Sequence, residues 1–171
     1  GLAPGAHGSN RTGRMFTGDS SGDTLFGALH RAGSANHPSS HHRGDGLILD
    51  DTFITAVGRC APPGNRPTAQ ELQNCQPYLA RELILLQSRQ IVLALGQVAL
   101  RGYIKLLKSQ GHSLPRIPFK HGQIKELPDP LPTVIVSYHP SQQNTQTGRL
   151  TQEMFDDVFT TIRRRLARGA P

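Results

Sequence analysis

The chain has 171 residues, enough for one domain that buries a core without disulfides or structural metals. Its net charge of +7 favours nucleic acid or another polyanion as the partner, the alternative being a basic soluble protein with no such partner. Its longest apolar runs, such as Ile91–Leu95, are too short to cross a membrane, and two cysteines favour a reducing compartment over a disulfide framework. We therefore expect a cytoplasmic protein.

The opening segment, residues 1–23, holds six glycines and one aromatic residue, Phe16. It has no apolar run long enough for a helix or a buried strand, so we predict a loop. Glycine lets a ligand approach the main chain closely, and long loops in compact domains are usually functional. The alternative is a frayed terminus. A second loop of similar character, Ser137–Asn144, could complete a pocket with it.

Downstream of this loop the sequence predicts a helix near Gly22–Arg31, capped by Ser20 or Ser21. A polar, breaker-rich loop follows over Asn36–Gly46, and then the β-branched run Phe53–Val57 predicts a strand. The loop contains three histidines, which we interpret as solvated rather than metal-binding because no carboxylate–histidine spacing accompanies them: His37, His41 and His42.

The middle of the chain predicts a long helix. Thr68 and Glu71 form a T-x-x-E capping box. Apolar residues then recur at spacings of three or four as far as Leu86, and Pro77 is expected to kink the helix.

Four further elements are predicted in the rest of the chain: a buried strand at Ile91–Leu95, a helix at Val98–Lys108, a strand at Thr133–Tyr138 and a last helix capped by Thr151. Strands that alternate with helices favour an α/β fold with a parallel sheet. In such folds the functional loops lie at the carboxyl ends of the strands.

Four stretches together resemble the motifs of the uracil-DNA glycosylase superfamily, and of its bacterial and archaeal family 5 type in particular: GLAPGAHG, GRMFTGDSSGD, FITAVGRCAPPGNRPT and HPSQQN. The likeness runs through nearly the whole chain and includes the downstream Cys75. It implies a three-layer α/β/α sandwich with a central, mostly parallel four-stranded sheet. It also implies that residues 1–171 form a single glycosylase-like domain, truncated at the N-terminus, whose first strand precedes Gly1.

The resemblance implies a DNA-repair enzyme that acts as a monomer on duplex DNA. Such an enzyme flips uracil, and other deaminated bases, out of the helix and hydrolyses the N-glycosidic bond. Because no lysine lies in the pocket motifs to form a Schiff base, we expect a monofunctional enzyme without lyase activity. The alternative is a non-catalytic or degenerate DNA-binding homologue. A phosphate- or nucleotide-binding α/β protein is disfavoured, since the GxxxxGKS or GxxxxGKT pattern is missing.

The resemblance implies that the base pocket is formed by the opening loop, residues 1–23, and by the loop Ser137–Asn144. Phe16 is the stacking platform for the flipped base, the alternative being a core phenylalanine beneath the loop. Main-chain N–H groups from Ala3 through Gly5 to Ala6 bind the uracil carbonyls. His139 donates a hydrogen bond to uracil O2 as charge develops on the leaving group, unless it is a structural histidine.

Two departures from related families bear on the chemistry. Ala3 stands where the motif GQDPYH of another family has a water-activating aspartate. Asp19 is then the nearest acidic residue that could position the water, and capping the helix at Gly22 is its alternative role. Ala56 stands where a further family has a base-reading asparagine, and Asn65 could supply an amide instead.

Three further groups of residues are candidates. Cys60 and Cys75 would be two of the four ligands of a four-iron four-sulfur cluster, with the other two upstream of Gly1; two ordinary buried thiols are the alternative. The basic end of the last helix is a candidate for phosphate contact: Arg163, Arg164, Arg165 and Arg168. The HPSQQN segment would supply a DNA-binding minor-groove loop in which one of the glutamines fills the emptied stack: Ser141, Gln142, Gln143 and Asn144.

Overall fold

The structure, a computed structural model, describes residues 1–169. Within that range the chain forms α1 Ser9–Thr12, α2 Ser20–Arg31, a 3-10 turn Pro63–Asn65, α3 Ala69–Leu85, β1 Ile91–Leu95, α4 Gln97–Ser109, β2 Ile124–Lys125, β3 Thr133–Ser137, α5 Gln142–Gln146 and α6 Gln152–Gly169. None of the helices over these residues is both long and apolar enough to cross a bilayer.

The three strands form one mixed sheet in the order β1–β3–β2. β1 and β3 run parallel, with Ile91 opposite Thr133, whereas β2 pairs antiparallel with β3. The strands predicted at Ile91–Leu95 and Thr133–Tyr138 are confirmed, the second one residue shorter. The four-stranded, mostly parallel sheet implied by the resemblance is not found within residues 1–169.

The strand predicted over Phe53–Val57 is wrong as an element of this sheet. The segment has no regular secondary structure, and within residues 1–169 its main-chain hydrogen bonds are made with Gly1 alone. The Gly1 amino group donates to the Thr55 carbonyl at 2.8 Å, and the Gly1 carbonyl accepts from the Val57 N–H at 3.1 Å. This is the pattern of a parallel pair, but these two hydrogen bonds are too few to make a ladder within the described residues.

Helices cover both faces of the sheet. Side chains alternate between faces along a strand, and Val134 and Val136 of β3 are buried in a cluster with α3 and α4. On the opposite face α2 packs against α6, and Leu95 of β1 joins a second cluster that contains Phe26. Phe16 belongs to this second cluster, so the opening loop is part of the core.

Most helix predictions are confirmed. Thr68 and Glu71 form the capping box of α3, and the helix continues through Pro77. The Thr151 hydroxyl accepts from the N–H of Met154, in the first turn of α6, at 3.2 Å. The short helix α1 was not predicted, because a single polar turn has no apolar periodicity to reveal it.

The basic end of α6 is only partly free. Arg163 and Arg164 are exposed, whereas Arg165 forms an ion pair with Glu126. The side chain of Arg168 lies outside the described part of the chain.

The first turn of α2 fixes the end of the opening loop. Asp19, rather than the predicted Ser20 or Ser21, is the N-cap, and its Oδ1 accepts from the Gly22 N–H at 3.0 Å. Gly22 is buried with its Cα against the main-chain carbonyl of Phe16; a Cβ at position 22 would lie 1.8 Å from that oxygen. Only glycine fits there, so helix and loop pack backbone to backbone.

We expect Gly22→Ala to lower the melting temperature, although alanine is the better helix former. The added methyl overlaps the Phe16 carbonyl, and overpacking of this kind costs about 1–3 kcal/mol. Gly27→Ala, in the same helix, is the matched control. Its nearest neighbour would be the far end of the flexible Arg31 side chain, at 3.2 Å, so this variant should be as stable as the parent or more so. A melting temperature of Gly22→Ala equal to that of the parent would contradict the close contact.

Candidate active site

Phe16 lies in the opening loop in a left-handed conformation. Its φ is 56° and it is 5% exposed. Positive φ is uncommon for a residue other than glycine and persists only where the surroundings hold it. The Ser9 hydroxyl accepts from the Phe16 N–H at 2.8 Å, and Gly22 closes on the Phe16 carbonyl. Packing in the core is therefore part of what Phe16 does, and the stacking role stays a prediction.

His139 follows β3 and meets Phe16 directly. The two ring centroids are 5.6 Å apart and the ring planes are inclined by 26°. The side-chain amide of Asn144 donates to the His139 carbonyl at 2.8 Å and fixes this turn. Gly96, at the end of the neighbouring strand β1, lies next to His139, since a Cβ there would be in ordinary contact with the His139 Cβ at 3.4 Å. The carboxyl ends of two parallel strands thus bring the two loops together.

Burial lowers the pKa of His139 from 6.5 to about 4. The Asp19 carboxylate opposes this effect only in part. The imidazole is therefore neutral at pH 7, with one nitrogen that donates and one that accepts. Neither ring nitrogen has a hydrogen-bond partner within residues 1–169, so the ring can bond a ligand.

Asp19 has one engaged oxygen and one without a protein donor. Oδ1 caps α2, while Oδ2 lies against the Cα atoms of Gly5 and Gly8. A Cβ at position 8 would be 2.3 Å from Oδ2, so only glycine allows this approach. No donor within residues 1–169 bonds Oδ2. The two roles considered for Asp19 are compatible, because one oxygen can cap the helix while the other holds water.

The main-chain N–H groups of Ala3, Gly5 and Ala6 donate no hydrogen bond within residues 1–169, as is also true of other residues of the opening loop, Leu2 and Gly8 among them. Main-chain donors in folded proteins are normally paired. These free N–H groups lie in the loop that also carries Phe16 and Asp19. They can donate hydrogen bonds to the carbonyl oxygens of a ligand. The predicted binding role of these amides is neither confirmed nor contradicted by this arrangement.

The other predicted binding residues, Asn65 and the segment from Ser141 to Asn144, lie on the surface or at the start of a helix. Asn65 is exposed in the 3-10 turn, and no hydrogen bond joins its side chain to the pocket residues among those described. The segment from Ser141 to Asn144 does not form an open loop, because Ser141 is the N-cap of α5. Gln142 and Gln143 are exposed in the first turn of that helix, and their contact with DNA stays a prediction.

Cys60 and Cys75 lie in one region of the fold. The Sγ atom of Cys75, on α3, accepts from the N–H of Arg59 at 3.3 Å, and Arg59 directly precedes Cys60. Both thiols are free; Cys60 is exposed and Cys75 is half-buried. Within residues 1–169 no group of three histidine, cysteine, aspartate or glutamate side chains comes together as a metal site. The chain therefore supplies two thiols, half of a four-cysteine donor set.

Two clefts of the structure lie away from the contact between Phe16 and His139. One, of about 220 Å³, is lined by His121, Met154 and other residues of β3 and α6. The other, of about 240 Å³, is lined by Arg14, Phe53 and their neighbours. Neither of these two clefts is lined by Phe16 or His139, whose rings contact each other directly.

Arg14, which is not among the residues predicted from sequence, ties the opening loop to the loop over residues 36–46. Its Nη2 lies 2.7 Å from both carboxylate oxygens of Asp45 and 2.6 Å from the Ser40 hydroxyl, and its Nε donates to the Thr17 hydroxyl at 2.9 Å. Asp45 also accepts three main-chain N–H groups of its own loop, and Arg14 together with them lowers the pKa of Asp45. Because Asp45 is 31 residues from Arg14, no local pattern predicts the pair.

Comparison with known proteins identifies the family. The model of the uracil DNA glycosylase superfamily matches residues 1–163. The type-5 uracil-DNA glycosylase of Mycobacterium bovis is 50% identical over 160 residues, which are 93% of this chain and 59% of that protein. The type-5 enzyme of Thermus thermophilus is 49% identical over 164 residues, 96% of this chain and 73% of that protein. A type-4 uracil-DNA glycosylase of Pyrobaculum aerophilum is 33% identical over 144 residues, 82% of this chain and 64% of that protein.

The chain spans 59% of the length of the mycobacterial relatives. The family model nevertheless covers almost all of the chain, and the match includes both loops that meet at Phe16 and His139. The chain belongs to the uracil-DNA glycosylase superfamily.

Proposed function

We propose that the protein hydrolyses the N-glycosidic bond of uracil, and of other deaminated bases, in duplex DNA. The observation that carries the proposal is the contact of Phe16 with His139, a buried neutral histidine without a protein partner among the described residues. The names of the relatives, which are type-5 and type-4 uracil-DNA glycosylases, support the substrate. We propose a monofunctional, monomeric enzyme that works on the chromosome in the cytoplasm and takes the base out of the helix before cleavage.

In the proposed reaction the bond between C1′ of the deoxyribose and N1 of uracil breaks, and its electron pair passes to the base. Negative charge then builds up on N1 and O2 of uracil, and the N–H of neutral His139 donates a hydrogen bond to O2. A donor already in place stabilises developing charge without reorganisation. Water adds its hydroxyl to C1′, and uracil takes up the released proton at N1.

Asp19 and the free amides have distinct parts in this proposal. Asp19 Oδ2, which lacks a protein donor among the described residues, orients the attacking water. The N–H groups of Ala3, Gly5 and Ala6 bond the uracil carbonyls, and the exposed Asn65 adds an amide at the pocket edge. Gln142 and Gln143, at the exposed start of α5, contact the emptied stack together with Ser141 and Asn144.

Uracil can stack on Phe16 only if the imidazole of His139 leaves the face of that ring. A base needs about 3.4 Å on each face, or roughly 7 Å between the two rings. The ring centroids are 5.6 Å apart. We therefore infer that the imidazole moves off the face of Phe16 when the base arrives, which leaves its N–H directed at the base edge.

A non-catalytic DNA-binding homologue is the second candidate. The direct contact of His139 with Phe16 favours it, because a centroid separation of 5.6 Å leaves no room for a base between the two rings. The two functions differ in one measurement, namely release of uracil from duplex DNA by the full-length protein.

We expect His139→Ala to slow single-turnover excision from a U·G duplex by about 10² or more and to leave duplex affinity nearly unchanged, since a transition-state donor is lost but no phosphate contact. His30→Ala, which alters an exposed histidine of α2, is the matched control and should excise at the parent rate. A His139→Ala rate within a few-fold of the parent would end the assignment.

The pH profile of the parent separates a neutral from a cationic histidine. Because burial lowers the pKa of His139 to about 4, the neutral donor predominates at every pH above that value. Excision should then stay level from about pH 8 to about pH 5.5 and fall only as pH approaches 4. A rate that increased as pH dropped through the ordinary histidine pKa would instead require the cation.

We expect Phe16→Leu to weaken binding to a duplex that carries a non-cleavable uracil analogue, while binding to undamaged duplex barely changes. Leucine keeps the core filled but removes the ring, and base–aromatic stacking contributes about 1–3 kcal/mol, or about 5- to 150-fold in affinity. Melting temperatures confirm that the variant is folded. Equal weakening for both duplexes would mean that Phe16 is only a core residue.

We further propose that Cys60 and Cys75 are two ligands of a four-iron four-sulfur cluster whose other ligands lie outside these 171 residues. The donor chemistry fits, because both thiols are free and the Cys75 sulfur accepts the N–H of Arg59, a type of bond that tunes cluster sulfurs. A bound cluster would supply a covalent tie between the segment that follows Val57 and α3.

The full-length protein, purified without oxygen, should then be brown and contain iron and acid-labile sulfide. Cys75→Ser should lose both and melt at a lower temperature, whereas Ser109→Ala, at the last residue of α4, should keep both. A colourless full-length protein that still excises uracil would contradict the cluster.

A further inference from the structure

We infer that Arg11 and the loop over residues 36–46 form a cationic rim that binds the DNA backbone beside the extruded nucleotide. The rim consists of four exposed side chains: Arg11, His41, His42 and Arg43. The inference rests on the proposed function for the extruded nucleotide, but the rim itself is a surface of the protein. Sequence patterns assigned DNA contact elsewhere, to the HPSQQN segment and the end of α6.

The rim comes together at Gly18, within the turn that carries Phe16 and Asp19. The Nη2 atom of Arg11 would lie 3.0 Å from a Cβ at position 18, and the carbonyl of His41 would lie 3.4 Å from it. The Gly18 N–H donates to the Ser40 carbonyl at 2.9 Å. Two segments of the rim therefore border the turn on which the proposed chemistry depends.

The positive charge of the rim is not cancelled by ion pairs. Arg11 and Arg43 take part in no ion pair within residues 1–169. The Nε of Arg11 donates to the His7 carbonyl at 3.0 Å, which orients the guanidinium without neutralising it. The nearby charge of Asp45 is already matched by Arg14, and Asp19 lies in the pocket.

The Arg14–Asp45 ion pair holds the rim in place. Arg14 bonds Asp45 and Ser40 of the loop and also donates from Nη1 to the Arg43 carbonyl at 3.3 Å. Thr17 adds a hydroxyl contact to Ser40 at 2.6 Å, and both of these side chains are buried. The Arg11 guanidinium is oriented by its bond to His7, and the main chain that carries Arg43 is held by Arg14. Positive groups placed beside a pocket in this way suit a polyanion, and the proposed substrate presents phosphates on either side of the base that is bound there.

The test is the salt dependence of duplex binding by Arg11→Gln/Arg43→Gln, measured by fluorescence anisotropy on undamaged duplex and on duplex with a non-cleavable uracil analogue. Each phosphate contact contributes about 0.9 to the slope of log K against log salt concentration. Loss of two contacts should reduce that slope by about 1.8 and weaken binding to both duplexes.

Lys105→Gln/Lys108→Gln is the matched control, because it removes the same charge from exposed positions in the second half of α4. That helix begins at the carboxyl end of β1, so its second half points away from the pocket end of the sheet. The control should keep the parent slope. An unchanged slope in the rim variant, or an equal drop in the control, overturns the rim.

Uracil excision by the parent shows whether a negative result contradicts the rim or the proposed function. If the parent excises uracil and the rim variant keeps the parent slope, the rim is overturned and the function stands. If the parent does not excise uracil but the rim variant loses slope on undamaged duplex, the function is overturned and the rim remains a DNA-binding surface.

Asp45→Asn tests whether the ion pair holds the rim in place, because the change of charge and the loss of the pair are expected to change DNA affinity in opposite directions. Charge alone would strengthen DNA binding, because the variant removes a negative side chain. If the pair presents the rim, binding should weaken and the salt slope should fall in a variant that melts as a folded protein. Tighter binding with an unchanged slope would overturn that role.

Discussion

At the start of α2 a helix and a loop meet with no side chain between them, the Cα of Gly22 lying against the main-chain carbonyl of Phe16. The contact fixes the Phe16 peptide, Ser9 holds its N–H, and the residue is kept at positive φ with its ring facing His139. Asp19 caps the same helix turn, so its second oxygen is placed by the same packing. Strain of this kind is characteristic of functional sites, because the surroundings must hold a conformation that the chain would not choose.

Burial decides the charge state of the pocket. Taking an imidazole out of water disfavours its cation, so His139 is neutral although Asp19 is near enough to raise its pKa in part. A neutral donor suits a leaving group whose charge appears only during bond cleavage, since it need not be desolvated as an ion beforehand. The contact between His139 and Phe16 also covers apolar surface of the Phe16 ring.

The arginines near the Phe16 turn have two different roles. Arg14 is half-buried and matched by Asp45, so its charge serves to join two loops and is not offered to a ligand. Arg11 and Arg43 are exposed and lack ion-pair partners within residues 1–169. The Arg14–Asp45 pair makes the turn rigid, and the exposed Arg11 and Arg43 give its surface a positive charge. This combination suits a site that faces a polyanion.

The sequence by itself determined the features that depend on neighbouring residues. These include the capping box of Thr68 and Glu71, the strands at Ile91–Leu95 and Thr133–Ser137, and the motifs that identify the family. Only the tertiary structure decided that Phe53–Val57 stays outside the sheet and that Phe16 meets His139, 123 residues further along the chain. It alone revealed the pair of Arg14 with Asp45. Propensities and caps act over a few positions, whereas the partners of a strand, a ring or a charge are set by the path of the whole chain.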